Sequence, residues 1–556
     1  MESAQKPDVL IVGTGPVGAT YARVLLKLNS NIKVTMVDAG TKLSEEPGEH
    51  LRNSRVYQDN WNTFADTVTA NVQPFSRVAE GGGYQETLDK TAFQHRKADF
   101  NFYNPEQDPR KNLSGAAGAY AVGGMSTLWT CAVPRPHPRM ERSDLINDGE
   151  WGDLFEVAES FLRKSSEEFN FQRQKVTKKA LKDFFDQRSE DYPFPVPADY
   201  PVQNLPMAAR RRGRGEFGAE DGYVKWTGVD DILAPVWDDE NTRDRLTILS
   251  ERLVTRLNTD KPQQSGSRIV SADVQNFNTL KSERIEADKF IVATGPIFGP
   301  QLLWNSRIRH NALGRYLNDQ PVASCFAVLS EDIVGSFRDD EGHAGIDALA
   351  PNAAEPQVWV PVSEKRPWHV QVHQDPINFT TPGPELVDQR LLVFLQWFGM
   401  AEPLAENRVT FSKENTDLMG MPQPIFEYTM PDKAAQRAHR MLGELAEASL
   451  SLGGWLPGQL PQFEPPGSSL HLQSTTRMGA NDHGDSVVDV NSRHWGFENL
   501  AVGGINVIPT ATACNPTPTG VAIAVKSAAH MALGRDATGE EYQKLTETEA
   551  NAEGTA

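Results

Sequence analysis

The residues with the clearest chemistry lie toward the two ends of this chain. Near the C-terminus, His471 stands in SSLHLQSTTRMG and Asn515 opens NPTPTGVAIAVKSA. An imidazole can take the proton of an alcohol while an amide orients the same hydroxyl, which removal of hydride from the carbon requires. Taken singly, a histidine in an apolar stretch is usually a core residue, and an asparagine before a helix is usually a cap. What lies opposite them gives them weight. Near the N-terminus, Gly13, Gly15 and Gly18 form G-x-G-x-x-G within DVLIVGTGPVGAT, and Asp38 follows in KVTMVDAG. Gly13 permits a tight turn, Gly15 lets backbone approach a pyrophosphate, and Gly18 lets a helix close on a strand. The helix N-terminus then offers free N–H groups to phosphates, and the acid is placed for a ribose hydroxyl. This unit specifies a dinucleotide without choosing between FAD and NAD.

The elements that must hold these residues can be read in outline. Residues 9–12 form a short apolar run suited to a buried parallel strand. Residues 19–28 have helical spacing and 33–38 read as a second strand, giving one βαβ unit of the doubly wound type. ADKFIVATG, at 287–295, resembles a strand re-entering that sheet. VASCFAVL, WHVQVH and RLLVFLQWFG predict an antiparallel sheet in a second domain. The last apolar segment, GVAIAVKSAAHMAL, predicts a helix whose first turn carries the prolines of NPTPT. Such a helix start can face a flavin carbonyl and stabilise charge on the reduced ring. The expected division is a discontinuous cofactor domain (1–55, 105–150, 240–312 and 466–540) and a substrate domain (151–239 and 313–465). An excursion or lid is expected at 56–104, including the cluster GGGY at 81–84. The run Arg210–Arg212 reads as a solvated loop, and 541–556 as a disordered acidic tail.

With 556 residues the chain exceeds one ordinary core. Its net charge of −19 argues against nucleic acid or an anionic membrane as partner. Three cysteines, Cys131, Cys325 and Cys514, offer neither a disulfide framework nor zinc spacing, so no metal is expected. The N-terminus lacks a basic n-region, and no run approaches the ~18 apolar residues of a membrane helix. A cytoplasmic location is the expectation; the oligomeric state is left open.

Several longer stretches are more specific. GTGPVG, NPEQDPRKNLSGAAGAYAVGGMSTLWTCAVPRP, PWHVQVHQDP, LHLQSTTRMG and NPTPTGVAIAVKSA resemble the glucose–methanol–choline (GMC) oxidoreductase family, and within it the pyranose oxidase and glycoside 3-oxidase branch. The resemblance implies an α/β fold: a Rossmann-type FAD-binding domain, of the GMC and p-hydroxybenzoate hydroxylase kind, with a second antiparallel-sheet substrate domain. It implies FAD, oxidation of a secondary ring hydroxyl (carbon 2 or carbon 3) of a pyranose sugar or glycoside, and electron transfer to oxygen or a quinone. His471 matches the family's catalytic histidine and Asn515 its partner. Thr130 matches a threonine beside the reactive flavin nitrogen, and Gln371 and Asp375 match the substrate side. Val254, Gly504, Asn506, Pro516 and Thr517 are expected against the cofactor. Leu128 stands where the fungal pyranose oxidases carry the histidine that bonds covalently to the flavin, so non-covalent FAD is expected. Three alternatives stay open: a lyase on the same fold, a redox-inactive FAD-binding relative, and a quinone-preferring dehydrogenase.

Overall fold

The run VLIV at Val9–Val12 is almost wholly buried, as an apolar strand covered on both faces must be. A computed structural model places it at the centre of a five-stranded parallel sheet and describes residues 6–76, 104–169, 172–188, 194–211, 223–338, 342–349, 356–373, 387–456 and 458–553. The strand order is Leu500–Val502, Lys289–Val292, Val9–Val12, Val34–Val37, Leu246–Leu249. Val9 pairs with both Lys289 and Val34, so the N-terminal and later segments are in register at one sheet end. Helix Pro16–Leu28 follows the glycine turn, and helix Thr517–Leu533 packs against it. The latter is apolar nearly all round because it is buried nearly all round. Its single lysine, Lys526, is paired with Glu150 at 2.5 Å.

The segments VASCFAVL, WHVQVH and RLLVFLQWFG supply Val322–Leu329, Trp368–Val372 and Leu392–Gly399 of a seven-stranded antiparallel sheet. Gln203–Asn204, much earlier in the chain, adds an edge strand to this sheet. One face carries Ala323, Cys325, Trp368, Val370, Val372, Leu395 and Trp397, which pack with Met441, Leu445 and Leu452 of helix Asp432–Leu452. The pleat sends the alternate residues, His369, Gln371, Gln396 and Phe398, to the other face. Gln396 and Phe398 of that face line the same cavity as Gly13 and Gly15.

Two expectations are corrected. Of the expected tail 541–556, the described part is not disordered: Gly539–Glu553 is a helix, with Tyr542 and Leu545 buried beside helix Asp148–Phe161, while 554–556 lie outside the described residues. Arg210 and Arg211 are not in a loop but in strand Met207–Arg211, paired with Val224–Trp226; Arg212 lies outside the described residues. The described start of the excursion is helical, Arg55–Asp59 and Trp61–Asn71, and ends in a strand, Val72–Pro74, paired with Ala117–Ala119. The GGGY cluster lies outside the described residues. Among the described residues no helix is long and apolar enough to cross a membrane.

Candidate active site

The glycine turn is built as its sequence requires. Gly13 has φ +99°, and a Cβ there would lie 2.5 Å from Ala293 O. A Cβ on Gly18 would lie 2.1 Å from Gly13 O, so its role is helix–strand contact. Gly13 and Gly15 line a long cavity with Asp38 and Val254, onto which Thr14 and Thr294 also open. The N-terminus of helix Pro16–Leu28 has no side-chain cap, which leaves its N–H groups for an anion. Asp38 accepts from Thr14 N at 2.9 Å, Thr14 Oγ1 at 2.7 Å and Gly40 N at 2.8 Å. Burial pushes its carboxyl up, against these three donors that pull it down. Thr14 Oγ1 also accepts from Gly123 N at 2.9 Å, which ties the turn to the GGMST loop. Thr294 Oγ1 is buried with no hydrogen-bond partner on the cavity wall.

At its other end the same cavity is lined by Thr130, His471, Gly504, Asn515 and Thr517. His471 Nδ1 lies 2.7 Å from Gln320 Oε1. Gln320 must present its oxygen there, because its Nε2 donates to Thr512 Oγ1 and Cys514 O at 3.1 and 3.0 Å. Nδ1 therefore carries the imidazole proton, and Nε2 keeps a lone pair. Asn515 Nδ2 stands 3.4 Å from that Nε2, and Asn515 Oδ1 accepts from Gln371 Nε2. Burial holds the His471 imidazole down at about 3, with the neighbouring His373 adding to the effect. The imidazole is thus neutral in the range where enzymes work. Leu470, just before it, has φ +56°, a left-handed conformation that turns the chain at the site. The next layer holds the loop: Ser469 Oγ accepts from His471 N and donates to Asp319 Oδ1 at 2.8 Å. Asp319 also accepts from Gly467 N, and burial pushes its carboxyl up to about 6.

The sheet face above the pair supplies residues the sequence reading passed over. His373, Gln396 and Phe398 line the cavity. His373 Nε2 lies 2.7 Å from Gln396 Oε1, and Phe398 stacks on His471 with ring centroids 5.6 Å apart. The period of two in His369, Gln371 and His373 was a usable signal, since it puts three polar groups on one strand face. Gln320 and Thr14 had none. Gln371 is wholly buried and touches the pair through Asn515. Asp375 lies outside the described residues. Asn506 is buried, donates to Thr476 Oγ1, and is not on the cavity wall; Pro516 is likewise absent from it. Leu128 faces away from the cavity into a cluster with Leu51, Phe64, Val68 and Val72. Among the described residues no cluster of histidine, cysteine or acidic side chains is arranged to hold a metal ion.

The glycine turn, His471 and Asn515 thus line one and the same cavity, with His373, Gln396 and Phe398 of the sheet. The chain belongs to the GMC oxidoreductase family, whose description matches residues 403–524. It is 35% identical to a pyranose 2-oxidase of Tricholoma matsutake over 94% of this chain and 93% of that protein. It is 34% identical to a C-glycoside 3-oxidase of Microbacterium trichothecenolyticum over 94% of this chain and 96% of that protein. Its fold is shared by the crystal structure of pyridoxine 4-oxidase from Mesorbium loti, with a TM-score of 0.59 at 16% identity over 94% of this chain and 98% of that one. The family implies FAD, and the uncapped helix start, the close-packed glycines and the unpartnered Thr294 hydroxyl fit it.

Proposed function

We propose that this protein oxidises a secondary ring hydroxyl, at carbon 2 or carbon 3, of a pyranose sugar or glycoside to a keto-sugar. The observation that carries this reading is the neutral His471, its Nε2 lone pair 3.4 Å from Asn515 Nδ2, at the end of the cavity that begins at the glycine turn. The two relatives named for pyranose and C-glycoside oxidation support the substrate class. His471 Nε2 takes the hydroxyl proton while Asn515 Nδ2 orients the oxygen. Gln371 fixes the Asn515 amide, and Gln320 fixes the imidazole tautomer. Bound FAD supplies the acceptor for the hydride leaving the ring carbon. The step removes two electrons and two protons from CH–OH to leave C=O; oxygen takes up the same count as hydrogen peroxide, or a quinone as a hydroquinone. Gln396 and His373 present a donor and acceptor surface for the sugar's other hydroxyls.

The test is an anaerobic screen of flavin bleaching with free sugars, O-glycosides and C-glycosides, with the position of the new carbonyl assigned by NMR. His471→Ala should keep its yellow flavin and bleach slower by about 10²–10⁴-fold, the contribution of a placed base. Bleaching of that variant at the wild-type rate removes His471 from the chemistry, and a wild-type flavin that no sugar bleaches sinks the reading.

We further propose that FAD is held without a covalent bond, because Leu128 has no nucleophilic atom. Acid precipitation is expected to leave the yellow colour in the supernatant; colour kept by the pellet overturns this.

A further inference from the structure

Glu141 is wholly buried, and among the described residues no cation pairs with it. A buried carboxylate is costly unless donors surround it. Its donors here are all backbone amides: Ala513 N and Cys514 N to Oε1 at 2.7 and 2.8 Å, and His137 N to Oε2 at 2.5 Å. Two of the three belong to the residues immediately before Asn515. The same two loops meet twice more, Thr510 Oγ1 donating to Glu141 O at 2.6 Å and Cys514 Sγ to Pro134 O at 3.2 Å. On the opposite side Gln320 Nε2 holds Thr512 Oγ1 and Cys514 O while its oxygen holds His471. Behind the loop lies a second cavity, lined by His137, Glu141, Trp359, His369 and Cys514. Side-chain packing is therefore incomplete on that side, and the carboxylate's bonds fix the backbone there.

We propose that Glu141 is a positioning residue for Asn515, acting through the Ala513 and Cys514 amides to set the distance between Asn515 and His471. The catalytic consequence rests on the sugar-oxidation reading; the positioning itself does not. Glutamine would turn an N–H₂ toward at least one of the amide donors, so it cannot satisfy all three.

The experiment uses the FAD-loaded protein as wild type, Glu141→Gln, Asn515→Ala and the double variant. Amide hydrogen exchange is followed in the peptide spanning 510–516, and anaerobic flavin reduction is followed against sugar concentration. Glu141→Gln is expected to exchange faster at 510–516 and to lower the limiting reduction rate by about tenfold, the size of one buried charged hydrogen bond. The sugar concentration for half-maximal rate should stay unchanged. In the Asn515→Ala background the same change should cost less than about twofold, because residues acting as one unit are not additive. Unchanged exchange, or a fully additive rate loss, overturns the proposal. If no sugar reduces the wild-type flavin, the functional reading fails while the exchange result still decides whether Glu141 holds the loop. Should Glu141→Gln fail to fold, Glu141→Asp, which keeps the charge one methylene short, goes through both measurements.

Discussion

A base held neutral by burial works over a wide pH range but depends on its second nitrogen being managed. His471 has its imidazole held down at about 3, below the ordinary 6.5, so its neutral form is essentially complete by about pH 5. Flavin reduction in the wild type should therefore show no fall between pH 5 and 8 attributable to this group; a limb near the ordinary histidine value in stopped-flow traces would contradict the burial argument. The linked stability has the same sign. The unfolded chain takes this proton below 6.5 and the folded chain refuses it until about 3, so this contribution is lost as pH falls through that window. Gln320 is the other half of the arrangement. Gln320→Leu leaves the Nδ1 proton buried without an acceptor, at about 1–3 kcal/mol, and frees the ring to take the tautomer that cannot accept at Nε2. An anaerobic reduction rate lower by about 10–100-fold is expected, with FAD content unchanged. A wild-type rate in that variant would mean that Gln320 does not set the tautomer.

At the scale of elements, the sheet Trp368–Val372 with its neighbours does two jobs on two faces. Its apolar face rests on helix Asp432–Leu452, and the docking is pinned by Glu444. That carboxylate accepts from Trp368 Nε1 and Trp397 Nε1, both at 3.0 Å, and from Arg366 at 2.6 Å, with both ionic side chains fully buried. Removing one partner strands the other charge in the core. Glu444→Leu should cost about 3–5 kcal/mol in urea unfolding, and adding Arg366→Met should recover the part due to the stranded charge, while the two indole N–H groups stay unpaired. A Glu444→Leu midpoint equal to wild type would show that the pair does not hold the helix. Strand Val9–Val12 was legible in the sequence because burial on both faces leaves an unbroken apolar run; Val34–Val37, interrupted by Thr35, was legible from its place after the glycine turn and helix. The cavity-lining face of the antiparallel sheet was legible only as a strand: alternation told the period, while the partner of His373, Gln396, lies on the neighbouring strand and that of Phe398, His471, in a loop much later in the chain. Gln320 lies in NDQP, where nothing local distinguishes it from any loop amide. Helix Gly539–Glu553 was hidden by its acidic composition. Two buried residues three apart, Tyr542 and Leu545, suffice to seat it on helix Asp148–Phe161.

At the scale of the molecule, the site is assembled from distant parts of the chain. The glycine turn and Thr130 come from the first quarter of the given sequence, the sheet face from the third, and His471 and Asn515 from the fourth. Strand Leu500–Val502 closes the edge of the parallel sheet beside Lys289–Val292, and helix Thr517–Leu533 covers helix Pro16–Leu28. This ordering bears on how the protein is made. A ribosome delivers residues in sequence, at about 5–20 per second. Until the last strand emerges, the edge at Lys289–Val292 is an open row of backbone groups, the kind of template on which unfinished chains stick together. The sheet that carries the glycine turn is thus completed only when Leu500–Val502, some two hundred residues later, pairs with Lys289–Val292.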